Sequence, residues 1–237
     1  MQITKHIPNA ITSMNLLSGS IGVIFTMQGR PDIAFLLMLA AAAFDFLDGM
    51  SARLLGKYSD IGKELDSLSD LVSFGLLPSL MLFKSLEGQP VYLQYIPLAI
   101  VVFSALRLAK FNIDERQHEN FIGLPTPACA MICGSLSYYI FISEAGVEMA
   151  TIDVWLIAIM SVILSALLVS EIPMFGMKFG KNIKTDAHTK IMRIGFVSII
   201  VPVFIGVLLL GENWSLAIFS LFCIYILMNV VSCFIRR

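Results

Sequence analysis

The chain has 237 residues, 57% of them hydrophobic and 14% charged, with a formal net charge of −1. Water-soluble domains carry about 25% charged residues, so these values exclude an ordinary soluble globular protein and point to a membrane protein. Near-neutral charge, with no basic tail and no interleaving of basic and aromatic residues, gives no footing for nucleic-acid binding.

In chain order, Met1–Asn9 is too short to span a bilayer. Ile3 and Ile7 around Lys5 and His6 suit a short interfacial helix, which Pro8 would break or turn into the start of the first span. The first apolar run lacks a small-residue cleavage pattern, so no cleavable signal peptide is expected. A span needs about 20 mostly apolar residues. Runs over 10–29, 32–55, 61–84, 92–112, 125–143, 152–172, 191–210 and 214–235 meet that need. The second, third and fourth carry polar residues at one end only. No long hydrophilic stretch, repeat or low-complexity tract divides them. The expected fold is therefore all-α: a polytopic transmembrane bundle of about eight spans, forming one domain over 1–237.

Basic residues orient such a chain, because cytoplasmic loops retain them. With both termini inside, fourteen of the sixteen Lys and Arg fall on the cytoplasmic side, and only Arg30 and Lys84 fall outside. The outer loops instead carry Asp32, Glu87, Glu144, Glu148, Asp153 and Glu212. An inner (cytoplasmic) membrane location follows as the expectation. Cys129, Cys133, Cys223 and Cys233 all lie in apolar runs, without the converging ligands of a Cys/His metal site. They read as small core residues.

Residues 45–70 read DFLDGMSARLLGKYSDIGKELDSLSD. Asp45 and Asp48 are spaced i, i+3 at one end of the second span; Asp66 and Asp70 are spaced i, i+4 at the start of the third. Each pair therefore projects from one helix face. The short 56–60 connection makes the two helices antiparallel neighbours, so the pairs face each other across one seam. Four such carboxylates repel unless protonated or neutralised by cations. Hard divalent ions such as Mg²⁺ take carboxylates together with substrate phosphates, and two metals suit in-line attack at phosphorus. Gly49, Ala52 and Gly62 leave room for a nucleotide or phosphate near the backbone. Arg53 offers a bidentate partner for phosphate and Ser59 a hydroxyl donor. The bland alternative is a solvated pair of helix ends, with the acids balanced by Arg53, Lys57 and Lys63.

The combination D-x2-D-G-x2-A-R-x8-G-x3-D-x3-D, formed by Asp45, Asp48, Gly49, Ala52, Arg53, Gly62, Asp66 and Asp70, resembles the signature of the CDP-alcohol phosphatidyltransferase family. The resemblance implies an all-helical membrane enzyme, usually a homodimer, that cleaves the pyrophosphate of a CDP-alcohol and releases CMP. It implies two divalent ions, Mg²⁺ or Mn²⁺, shared by Asp45, Asp48, Asp66 and Asp70. It further implies that Asp70 is the catalytic general base for the incoming hydroxyl.

The stretches IPNAITSMNLLSG from Ile7, DSLSDLVSFGLLP from Asp66, RLAKFNI from Arg107 and FIGLPTPA from Phe121 are similar to the branch of that family that transfers to serine. The likeness runs over about residues 5–130 and implies CDP-diacylglycerol and L-serine as substrates. Ser67 and Ser69 stand where the glycerophosphate-transferring branch has Pro and Ala. A zwitterionic acceptor needs a cation for its carboxylate, and Arg107, Lys110, Asn112 and Thr126 are candidate contacts. Arg107 and Lys110 equally suit positive-inside anchoring. A phosphorylated acceptor, glycerol 3-phosphate or an inositol phosphate, would need a denser basic pocket. A cation transporter would need polar residues continuing through the later spans, where few charges occur. Asn9, Thr12 and Asn15 form a polar stripe on the first span, read first as interhelical hydrogen bonding. The basic run from Lys178 to Arg193 suits anionic lipid or topology, and His188 reads as a solvated loop residue.

Overall fold

The computed structural model describes residues 6–56, 59–114, 121–143, 151–176 and 187–235, apart from the side chains of 151–153 and 187. The helices are α1 (Ile7–Met27), α2 (Pro31–Leu55), α3 (Asp60–Asp70), α4 (Leu77–Ser85), α5 (Val91–Gln94), α6 (Ala99–Ile113), α7 (Thr126–Ser143), α8 (Thr151–Val169), α9 (Ala187–Leu209) and α10 (Trp214–Ile235). A π-helical turn, Leu71–Leu76, joins α3 to α4, and a 3₁₀ turn, Ile96–Leu98, leads into α6. Among the described residues, seven continuous helical segments are long and apolar enough to cross a bilayer, and Val154–Val169 is a shorter apolar helix. This is the expected helical bundle of an integral membrane protein.

Local sequence explains the helix ends. Pro8 sits in the first turn of α1, where its missing N–H costs nothing. Met1–Lys5, where most of the expected interfacial helix falls, lie outside the described residues. Gly56 closes α2 with φ 59°, a left-handed cap that favours glycine. Ser59 caps α3 by accepting from the Gly62 N–H at 3.0 Å. Pro78 cannot donate to the Phe74 carbonyl, and the hydrogen-bond ladder widens into the π turn just ahead of it.

α7 is the central helix, with Ala128 to Ser135 buried throughout. Its small residues admit close neighbours: a methyl group on Gly134 would overlap Met38 and Phe35 of α2. α1 packs on α2, α3 and the π turn. There Gly19 admits Ser73, whose hydroxyl donates to the Asn15 carbonyl at 3.1 Å. Hydroxyls facing apolar surroundings bond their own helix, as in Ser161 to the Ile157 carbonyl and Ser165 to the Ser161 carbonyl. Leu156, Ile159, Ile163, Ile194, Val201, Ile205 and Leu227 are exposed, as a lipid-facing surface requires.

The sixth span departs from expectation. It ends at Val169 rather than 172. The chain then runs extended, and β2 (Pro173–Met174) pairs antiparallel with β1 (Phe121–Ile122), Phe121 opposite Met174. Gly123, at φ 80°, lets this turn press on α8: a Cβ there would lie 2.6 Å from the Leu168 carbonyl oxygen. Residues 115–120 and 177–186, which hold most of the expected basic loops, lie outside the described residues. His188 falls inside α9 rather than in a loop, with Nε2 3.5 Å from Ser232 Oγ.

Candidate functional site

Antiparallel packing brings the carboxylate ends of α2 and α3 together beside α1. One oxygen from each of Asp45, Asp48 and Asp66 lies within 4.8 Å of the others. Asp70, one turn beyond Asp66, shares a cavity with Asp45 and Asp66. Among the described residues none of the four forms an ion pair. Asp48 is buried, and Asp66 keeps one buried oxygen with no hydrogen-bond partner. Hard oxygen donors packed together, one of them without a partner, fit an oxygen-preferring divalent cation rather than a soft metal.

The first helix holds this cluster. The Thr12 hydroxyl donates to Asp48 Oδ2 at 2.6 Å, and Asn15 Nδ2 points to Asp70 Oδ1 at 3.4 Å. Thr12 and Asn15 thus make the interhelical bonds expected of the α1 stripe, and their partners are the aspartate side chains; Thr12 Oγ1 also lies 3.0 Å from the Pro8 carbonyl. The spacing of the stripe in an otherwise apolar span was the available signal.

Two cavities meet at the aspartates. The smaller, about 360 Å³, opens between α1, α2 and α3 and is lined by Asn9, Thr12, Asp48, Gly49, Ala52, Ser59, Gly62 and Asp66. Open space stands in front of Gly49, whereas a Cβ on Gly62 would meet Asn9 Oδ1 at 2.8 Å. Gly62 is therefore small because Asn9 and Ser59 crowd it. Arg53 is absent from both linings, and its Nε donates to the Gly49 carbonyl at 2.9 Å.

The larger cavity, about 530 Å³, runs from Asp45, Asp66 and Asp70 to an aromatic wall of Phe111, Phe121, Phe175, Phe196, Phe222 and Tyr225. Arg107 and Asn112 line it; Lys110 and Thr126 do not. Thr126 is fully buried behind Arg107 and accepts from Nη1 at 2.7 Å. Lys110 pairs with Glu171 at 3.6 Å instead. The Arg107 guanidinium lies 5.8 Å and 5.7 Å from the Phe111 and Phe121 ring centroids, within cation–π range. Its Nε is buried with no partner. Asn112 is tied to α3, donating to Ser67 Oγ at 3.0 Å, and its carbonyl accepts from Lys63 Nζ at 2.8 Å. Lys63 and Asp66 line both cavities. In the sequence Lys63 reads only as a flanking charge, and the aromatic wall, drawn from distant helices, leaves no local signal.

A helical membrane protein whose acidic cluster joins a small-residue cavity to a polar-aromatic one is the class that this fold and site define. Sequence comparison makes it specific: a model of the CDP-alcohol phosphatidyltransferase family matches residues 5–165, and the chain belongs to that family. Its relatives include the CDP-diacylglycerol–serine O-phosphatidyltransferase of Mycobacterium bovis, 35% identical over 71% of this chain and 60% of the relative. The archaetidylserine synthase of Methanothermobacter thermautotrophicus is 34% identical over 68% of this chain and 71% of its own length. The CDP-diacylglycerol–serine O-phosphatidyltransferase of Bacillus subtilis is 36% identical over 56% and 76%. The chain thus spans about 60% of the mycobacterial relative.

Proposed function

We propose that this protein transfers the phosphatidyl group of CDP-diacylglycerol to the hydroxyl of L-serine, giving phosphatidylserine and CMP. The observation that carries the reading is the three-aspartate cluster at the meeting of two cavities, one suited to the donor and one to the acceptor. The names of the relatives support serine.

In this reading Asp45, Asp48, Asp66 and Asp70 hold two divalent cations, Mg²⁺ or Mn²⁺, which neutralise the pyrophosphate and stabilise the leaving oxygen. Gly49, Ala52, Ser59 and Gly62 receive the cytidine and its phosphates in the smaller cavity. Arg53 donates its Nε–H to the Gly49 carbonyl and keeps the Nη donors for phosphate. In the larger cavity Arg107 binds the serine carboxylate, for which its buried, unpartnered Nε is a ready donor. Asn112 adds a neutral polar contact and Thr126 braces Arg107, while Lys110 is held by Glu171 outside the lining. Asp70 takes the serine hydroxyl proton as the oxygen attacks the phosphatidyl phosphorus. The phosphorus–oxygen bond to CMP breaks, and CMP carries away the released electron pair.

The whole of 1–237 forms one domain in this reading, working as a homodimer in the inner (cytoplasmic) membrane. Both termini and the site face the cytoplasm, where serine and CMP are soluble. The test is CMP release by purified protein given CDP-diacylglycerol and a panel of alcohols. Serine should stimulate release more than glycerol 3-phosphate or inositol phosphate. Preference for a phosphorylated acceptor, or no release with any alcohol, would overturn the reading.

A further inference from the structure

The far wall of the larger cavity comes from beyond the family match, which ends at residue 165. Phe175 is part of it, on the segment between α8 and α9. Such a segment inside a helical membrane protein must satisfy its backbone from its surroundings. Both backbone groups of Phe175 are taken by side chains of one helix. Its N–H donates to Asn229 Oδ1 at 2.9 Å, and its carbonyl accepts from the Tyr225 hydroxyl at 2.9 Å. Tyr225 and Asn229 are one turn apart on α10, so they share a face. Asn229 is itself fixed, donating from Nδ2 to the Tyr225 carbonyl at 2.7 Å. All three residues are buried. The Phe175 ring packs edge-on against Tyr225, centroids 4.9 Å apart.

The hold extends to the cation of the site. Met174, next to Phe175, pairs with Phe121, and the Phe121 ring lies 5.7 Å from the Arg107 guanidinium carbon. We propose that Tyr225 and Asn229 are positioning residues: by clamping the Phe175 peptide they fix the aromatic wall and the Phe121 face beneath Arg107, and so set which alcohols the acceptor cavity admits. The proposal rests on the functional reading above and adds to it a specificity element built by the last helix.

A clamp acting on the acceptor side predicts a split between the two substrates. In Tyr225→Phe the ring stays and only the hydroxyl is lost. Acceptor KM should rise about two- to tenfold, the range of one net hydrogen bond, while CDP-diacylglycerol KM stays within about twofold. The preference for serine over threonine, one methyl larger, should fall because the wall can yield. Asn229→Ala should act in the same direction. The double variant should show less than the product of the two effects, since either break frees the same peptide. The assay uses whichever alcohol the wild-type protein turns over fastest, with its one-methyl homologue as the size probe. An acceptor other than serine thus corrects the functional reading and leaves this test intact. Equal rises in both KM values, or a loss of thermal stability in Tyr225→Phe with acceptor KM and selectivity unchanged, would overturn the clamp and leave a merely structural contact.

Discussion

Asp48 accepts a 2.6 Å hydrogen bond from Thr12, whereas Asp66 keeps a buried oxygen with no partner. These neighbours give the carboxylates different expected responses to substitution. Asn at Asp45, Asp48 or Asp66 should weaken Mn²⁺ and CDP-lipid binding together with turnover. Asp70→Asn should abolish turnover but keep much of the CDP-lipid binding, because three carboxylates remain; near-normal turnover would remove the base assignment. Thr12→Val leaves every carboxylate in place and removes only the group that orients Asp48. Such outer partners are commonly worth about 10–100-fold in metal affinity, so calorimetric Mn²⁺ titration should show a loss of that order, restored in Thr12→Ser. Arg107→Ala should raise the serine KM by roughly tenfold to a hundredfold, the value of a charge-assisted hydrogen bond, with CDP-lipid affinity little changed. An unmoved serine KM would make Arg107 an anchor only.

The third span shows how an element can be read along its length and still hold a surprise. Ser59, Gly62 and the i, i+4 aspartates are local features, and local features are legible. Ser59 caps, and the two carboxylates share a face. The π turn before Pro78 was not read, because proline signals a break in the ladder without saying how the ladder closes. The link from Thr12 and Asn15 to the aspartates needed the rotation of α1 about its axis, which hydropathy does not carry. The same holds for Lys110, whose pairing with Glu171 depends on where α8 stops. The strands were hidden for another reason: Pro173 and Gly176 signal the end of a helix, but nothing local says that Pro173–Met174 pairs with Phe121–Ile122, far away in sequence. Gly123 makes that turn possible. Gly123→Ala combines a left-handed φ with carbonyl oxygens 2.6 Å and 2.9 Å away. It should cost about 1–3 kcal/mol, seen as a lower unfolding temperature in detergent. Gly62→Ala must displace Asn9 or Ser59 at the mouth of the smaller cavity. It should raise CDP-lipid KM while leaving acceptor KM alone.

For the whole molecule, an eight-span arrangement puts the end of α2, the starts of α3 and α7 and the end of α10 at one end of the bundle. Gly211 lies at the other. A cysteine tag at Gly211 should therefore label from the side opposite to tags in 56–60, 114–120 or 178–190, with Ala145 labelling alongside Gly211. Labelling of 178–190 from the opposite side to 114–120 would break the eight-crossing arrangement. Chelation reports on the bundle as a whole, because carboxylates from two spans converge on one volume. EDTA-treated protein should lose CMP release and regain it with Mg²⁺ or Mn²⁺, and full activity after verified stripping would sink the metal reading. Two stretches of the chain build the larger cavity. Its acidic end is encoded within residues 5–165, while Phe175, Phe196, Phe222 and Tyr225 come from later in the chain. Substitutions in the last third of the chain can therefore alter the shape of the chamber without touching a single carboxylate, and on the proposed reading they would change which alcohol is admitted while sparing the chemistry.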